Sequence, residues 1–233
     1  MNFLRFLFFV FLKGLSRIAY PVRLRWVGEQ PDRNWKNVQL VIFLNHTSLF
    51  EHVFIGVFPN RVLWRLSRTL IFPAAEETLG KPFLGPFFRF MAPKVVSITR
   101  KRDHSWRHFL TQLDPSSSLI FMAEGRMKRK NGLDKDGKPM TVRGGVVEAL
   151  EAFRGKKALI AYSGGLHHVY PPGARFPAFF RQISLALEVL DINQYCENFR
   201  SLAGTEYIRA ICADLERRRD LYCNSMPSAT FPG

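Results

Sequence analysis

Cysteine is scarce in this chain. Cys196, Cys212 and Cys223 are the whole complement, odd in number and without a Cys-x-x-Cys pair. That excludes a disulfide framework and a zinc ribbon, and it favours a reducing compartment. Acidic residues are also few, 19 against 34 Lys and Arg, for a net charge of +15. The imbalance predicts anionic partners: a phospholipid surface, phosphorylated small molecules, nucleic acid or an acidic protein. A long apolar run is missing at the N-terminus. Phe6 to Leu12 is fully apolar, but Arg5 and Lys13 bracket it, and a bilayer-spanning helix needs about 20 such residues. No small-x-small cleavage site follows between residues 13 and 22, so a cleaved signal peptide is not expected. Internal repeats and low-complexity tracts are lacking too.

What is present is apolar bulk with a bias. The 233 residues are 47% hydrophobic, enough for one sizeable core and too much for a disordered chain. Phe dominates the aromatics, with 22 residues beside 6 Tyr and 4 Trp. A basic, Phe-rich chain suits a lipid-facing protein better than a nucleic-acid binder. At about 100° per residue, residues 2–20 form an amphipathic helix. Arg5, Ser16, Asn2, Tyr20, Lys13 and Arg17 share one arc, interrupted only by Phe9, and the rest of the circumference is apolar. Such a helix is expected to lie in a membrane interface with its cations at headgroup level. The competing reading is a buried terminal helix of a soluble protein. Pro21 closes the helix, and Arg23 and Arg25 extend the positive stretch.

The middle of the chain alternates strand and helix signals. Val38–Leu44 is a β-branched apolar run, followed by an Asn45-His46-Thr47-Ser48 turn. Ser48 and Glu51 suggest a capping box for a helix beginning near Leu49. Further strands are expected at Val62–Arg65, Val95–Thr99, Leu119–Ala123 and, last in the core, Ala158–Ser163. Helices are expected at Asp103–Leu113 and Gly144–Phe153, an apolar or helical piece at Lys81–Phe90, and a long basic loop from Glu124 to Met140. The fold class is therefore α/β, a mixed sheet flanked by helices. After Pro171-Pro172-Gly173 the pattern predicts two helices, Phe176–Phe199 and Thr205–Tyr222. The expected division is a membrane-interface helix and linker (1–30), an α/β core (31–175), C-terminal helices (176–224) and a flexible tail (225–233).

Two short motifs carry chemistry. Asn45-His46-x4-Glu51 stands directly after an apolar strand. A His in the turn can fold over the following helix so that Glu51 accepts a hydrogen bond from one ring nitrogen, leaving the other to take a proton. No Ser or Cys nucleophile accompanies the pair, so the substrate supplies the attacking hydroxyl. The competing reading is a surface His beside a capping Glu. The second motif, Phe121-Met122-Ala123-Glu124-Gly125-Arg126-Met127-Lys128, also ends an apolar strand. A Glu-Gly turn followed by cations suits phosphate binding, although a solvated basic loop has the same composition. His52 is read as structural. His167-His168 do not, by spacing, demand a metal, and none is assigned.

The order of these motifs resembles the lysophosphatidic acid acyltransferase family, the glycerophospholipid acyltransferases, across residues 38–170. Asn45-His46-x4-Glu51 stands for the family's Asn-His-x4-Asp, and Pro82-Phe83-Leu84-Gly85 for its Pro-x-x-Gly. Ser97-Ile98-Thr99-Arg100 follows as the strand ending in Arg. Phe121 to Lys128 stands for Phe-Pro-Glu-Gly-Thr-Arg-Ser, and Arg143-Gly144-Gly145 precedes the next helix. Glu replaces Asp, and Met127 occupies the family Arg position, with Arg126 or Lys128 beside it, so this reads as a divergent member. The resemblance implies a membrane-associated O-acyltransferase. The donor is acyl-CoA or an acyl carrier protein thioester, a co-substrate with no further cofactor. The acceptor is a lysophospholipid-like alcohol. It further implies catalysis by His46 and Glu51, with Asn45, Arg100, Glu124, Gly125, Arg126 and Lys128 binding substrate. Cysteine usage and the basic N-terminus place it on the cytoplasmic face of an inner membrane. Two other readings stay open: a catalytically lapsed lipid-binding relative, and a basic nucleic-acid module with Trp106 as its stacking aromatic.

Overall fold

The structure is a computed structural model that describes residues 1–30, 35–99, 104–114 and 116–224. Arg100 and the tail from residue 225 onward, both singled out above, lie outside the described residues. The elements in chain order are helix α1 (Asn2–Ala19), β1 (Val22–Val27), β2 (Val38–Leu44), a 3-10 helix (Glu51–Val57), α2 (Asn60–Thr69), β3 (Leu70–Ala75), α3 (Glu76–Leu79) and α4 (Leu84–Met91). They continue with β4 (Lys94–Ile98), α5 (His104–Thr111), β5 (Ser118–Met122), α6 (Gly145–Ala152), β6 (Lys157–Ser163), β7 (Ile183–Asp191), α7 (Ile192–Glu197) and α8 (Gly204–Asn224).

The strands form one mixed sheet in the order β1-β7-β6-β2-β5-β3-β4. Neighbours pair parallel except β6 and β7, which run antiparallel. β2 sits between β5 and β6, with Leu40 opposite both Leu119 and Ala158. Strands buried on both faces need apolar residues at every position. That is why β2 (VQLVIFL) and β6 (KALIAYS) read as nearly continuous apolar runs. One sheet face packs against α5, α6, α7 and α8, and the other against α1, the 3-10 helix and α2.

Several sequence expectations are corrected. Residues 62–65 lie inside α2, not in a strand; their apolar side chains Val62 and Leu63, with Leu66, line one face of a helix over the second core. The segment following Ser48 is a 3-10 helix starting at Glu51, with Phe50 at its N-cap. Only half of the capping box forms: the Glu51 carboxylate accepts the Ser48 N–H, while Ser48 Oγ accepts from Phe50 N–H. Phe176–Phe199 is not a helix. It contains β7, which inserts between β1 and β6, and then the short α7. The core therefore extends well beyond residue 175. It also begins earlier than 31, because β1 occupies residues expected to be linker.

The orientation of α1 is also corrected. Its polar arc faces the protein body. Arg5 Nε donates to Phe90 O (2.9 Å), Arg17 Nε to Gly56 O (2.7 Å), Lys13 Nζ to Asn60 Oδ1 (2.6 Å) and Ser16 Oγ to Val53 O (2.5 Å). Two of these cations meet carbonyls in the last turns of α4 and of the 3-10 helix, where the helix dipole favours positive charge. Gly56 is required for this approach: a Cβ there would stand 2.8 Å from Ser16 Oγ. Among the described residues, no helix is long and apolar enough to cross a membrane.

Candidate active site

The C-terminal ends of β2, β5 and β6 converge, the place where parallel α/β sheets hold ligands. The turn after β2 begins at Asn45, whose φ of 66° is left-handed, a conformation Asn tolerates better than most residues. Backbone and side-chain anchors fix that turn. Asn45 N–H and His46 N–H donate to the Glu124 carboxylate (3.2 and 2.7 Å). Asn45 Nδ2 donates to Ser163 O at the end of β6 (2.8 Å). Lys128 N–H donates to His46 O (2.7 Å), and Leu166 N–H to Thr47 Oγ1 (2.7 Å).

On this platform His46 Nδ1 lies 2.8 Å from Glu51 Oε2, with 13% of the His and 2% of the Glu side chain exposed. The other oxygen of Glu51 accepts from Thr47 N–H (2.8 Å) and Ser48 N–H (3.1 Å). The carboxylate only accepts, so Nδ1 carries the proton and Nε2 keeps its lone pair. Burial pulls the His46 pKa down. The Glu51 charge and hydrogen bond, with the Glu124 charge, outweigh that and leave it raised above the ordinary imidazole value. His52, one residue on from Glu51, is held the other way. Burial lowers its pKa despite its contact with Leu49 O, and its ring packs between Phe50 and Phe87.

His46 and Glu51 open onto a cavity of about 630 Å³. Its walls are largely apolar: Phe43, Phe58, Leu66, Leu70, Ile120 and Phe9 among others. Gly125 (φ 61°), Arg126 and Arg143 line the polar side. Asn45, Glu124 and Lys128 do not line it. In this structure Asn45 and Glu124 hold the His46 turn, and Lys128 contributes backbone: its carbonyl receives His167 Nε2 at 2.7 Å. Arg126 is ion-paired with buried Asp134. Asp134 Oδ1 in turn accepts the Asp136 and Lys138 N–H groups (both 2.9 Å) and shapes the basic loop.

Sequence reasoning missed two residues. Arg143 stands out in the sequence as a landmark but not as a site residue, although it lies on the cavity wall beside Gly125. Arg219 of α8 carries no sequence signal at all. Its Nη1 donates to Glu124 Oε1 (3.1 Å) and to Met140 O (3.0 Å). No local motif marks it, because the contact spans 95 residues. Beside this pair, burial first and then the Glu124 charge push the Cys223 thiol up to about 12, so it is not a nucleophile at neutral pH. Trp106 is buried in the first core, donates to Glu148 and lines the cavity, so it is not displayed on an exposed basic surface. Among the described residues, no group of three or more His, Cys, Asp or Glu side chains could hold a metal ion. No family model matches the chain, and no curated protein does.

Proposed function

We propose that the protein is a membrane-associated acyltransferase of the glycerophospholipid type. It moves a fatty acyl group from acyl-CoA or an acyl carrier protein thioester to the hydroxyl of a lysophospholipid-like acceptor. The observation that carries this reading is the His46–Glu51 pair, with Nε2 unengaged by Glu51, at the wall of a large apolar cavity. The cavity volume lies within the roughly 300–1,000 Å³ of small-molecule sites. Its lining suits an acyl chain better than a sugar or a nucleotide. The ordered landmarks from Asn45 to Gly145 support the same chemistry.

His46 Nε2 takes the proton of the acceptor hydroxyl as its oxygen attacks the thioester carbonyl. The tetrahedral intermediate collapses, the carbon–sulfur bond breaks, and the leaving thiolate recovers the proton from His46. Glu51 stabilises the imidazolium between these steps. Arg143 provides positive charge on the cavity wall for the acceptor or donor phosphates, Arg126 is held there by Asp134, and Glu124 keeps the His46 turn in place. The setting in this reading is the cytoplasmic face of an inner membrane.

The test is acyl transfer by membranes carrying the chain, with labelled acyl-CoA and acyl carrier protein thioester and a panel of lysolipids. His46→Ala is expected to lower transfer by about 10²–10⁴-fold, the usual worth of a positioned base. Undiminished transfer in that variant overturns the mechanism. Absence of transfer by a folded, membrane-bound wild type favours the lapsed lipid-binding relative. The pH profile gives a second check. His46 must be neutral to accept a proton, and its pKa is raised. Transfer should therefore rise with pH along a limb centred above about 6.5. Glu51→Gln removes the raising charge while burial persists, so the limb should move to lower pH as the rate falls.

A further inference from the structure

Many of the exposed aromatic and aliphatic side chains of this protein lie on α1 or on segments next to it; Leu24 and Leu221 are among the exceptions. With its polar arc turned inward, α1 presents Phe3, Leu4, Leu7, Phe11, Leu15 and Ile18 outward, all exposed, Ile18 at 74%. These residues run about 22 Å along the helix. The inner face mixes Ser16, Lys13 and Arg5 with the buried Phe9 and Ala19, while the outer face is apolar, where a surface helix ordinarily carries its polar side chains. A solvated exterior gives no reason for it.

The patch continues past both ends of α1. At the C-terminal end, Phe180 N–H donates to Ala19 O (2.8 Å), and Phe179 stacks on Tyr20 at 6.1 Å. That loop carries Phe176, Phe179 and Phe180, all exposed, Phe180 at 75%. Toward the N-terminal end, Phe8 packs edge-on against Phe90 and Phe87 of α4, and Phe83 at the start of α4 is exposed. Exposed cations adjoin these aromatics in the chain: Lys81, Arg89, Arg175 and Arg181. The Arg175 guanidinium lies over the Phe176 ring at 5.4 Å.

We propose that α1 and the Phe176–Phe180 loop together form a two-point docking surface for an anionic phospholipid bilayer. The outer face of α1 lies among the acyl-chain ends, and the loop inserts beside its C-terminus as a second anchor. The adjoining cations meet the lipid phosphates. A bilayer fits better than a protein groove because the apolar strip is long, bordered by positive charge and rich in Phe rather than in mixed polar side chains. A second copy of the chain would bring like charges together along the same border. The inference deepens the acyl-transfer reading by naming how the site meets its lipids. It does not depend on catalysis, because its readout is binding.

The full chain is mixed with vesicles of phosphatidylglycerol and phosphatidylcholine, and with phosphatidylcholine alone, and floated on a density gradient. Binding to the anionic vesicles is expected to weaken as salt rises. The pairs Phe11→Ser/Ile18→Ser and Phe176→Ser/Phe180→Ser are each expected to weaken it by about tenfold or more. Leu221→Ser, an exposed apolar residue on α8, should leave it unchanged. Measured against the wild type, whose four tryptophans set the baseline, a Phe180→Trp variant should show extra quenching by lipids brominated on the acyl chain, and a Leu221→Trp variant should not. Failure of the wild type to float, a loop pair no weaker than Leu221→Ser, or no quenching in the Phe180→Trp variant beyond that of the wild type overturns the proposal. So does a lipid-free dimer that the same pairs dissociate while vesicle binding persists. Transfer lost in His46→Ala with flotation intact leaves both readings standing. Flotation with no transfer in the wild type removes only the catalytic one.

Discussion

Helices α1 and α8 are of similar length and lie at opposite ends of the chain, on opposite faces of the sheet, yet they are built in opposite senses. α8 buries Ile211, Leu215 and Cys223 against the core. Its outer face shows Glu206, Arg209, Arg217 and Asp220 to solvent. α1 fixes itself to the body through Ser16, Arg17, Lys13 and Arg5 and keeps most of its aliphatic side chains outside. Amphipathicity alone does not say which side faces in. What lies beyond the helix decides: water for α8, an apolar medium for α1 in our reading. The two also differ in reach. α8 acts on the site through a buried ion pair, while α1 supplies the cavity with one apolar wall residue, Phe9.

The comparison can be broken most forcefully at Arg219. Its side chain is 12% exposed and that of Glu124 is 0%. Arg219→Met leaves a buried carboxylate without its cation, a change expected to cost about 3–5 kcal/mol. The urea midpoint should fall accordingly. Adding Glu124→Gln should recover part of the loss, since the two residues are directly coupled.

On α1 the expected effects are smaller, because its anchors are hydrogen bonds to carbonyls. Ser16→Ala leaves the Val53 carbonyl without its buried donor and should cost about 1–2 kcal/mol in the same denaturation experiment. If this exceeds the Arg219 effect, the ranking of the two helices is wrong. Smallest of all should be Leu7→Ser on the outer face of α1. Its effect on lipid-free stability is expected to stay within about 0.5 kcal/mol, despite removing an apolar side chain from a helix. A larger loss would mean that this face packs on protein.

How legible the molecule was in its sequence depended on how unambiguous each local pattern is, not on burial alone. β2, β4, β5 and β6 announced themselves as short β-branched or apolar runs. β7 (ISLALEVLD) did not, because its apolar residues also satisfy a helical period over nine residues. β1 (VRLRWV) alternates as an edge strand should, but its two Arg residues read as an extension of a positive stretch. β3 carries Pro73, which ordinarily argues against an interior strand. β3 pairs with β5 only at Leu70 and Ile71, and by Pro73 it faces β4 alone, so the missing N–H has less to satisfy. At the site, the His46–Glu51 contact was legible because only four residues separate the partners. The Arg219–Glu124 contact was not, since long-range pairing leaves no spacing to read.

Phe9 has a practical implication. It is 1% exposed, belongs to α1, and lines the same cavity as His46. Deleting the first twenty residues, which carry the proposed lipid-facing helix, would also unwall that cavity. It would further uncover Val53 O and Gly56 O. Such a fragment would be a poor surrogate for inhibitor screening, since a compound could enter through an opening that Phe9 helps to wall in the intact chain.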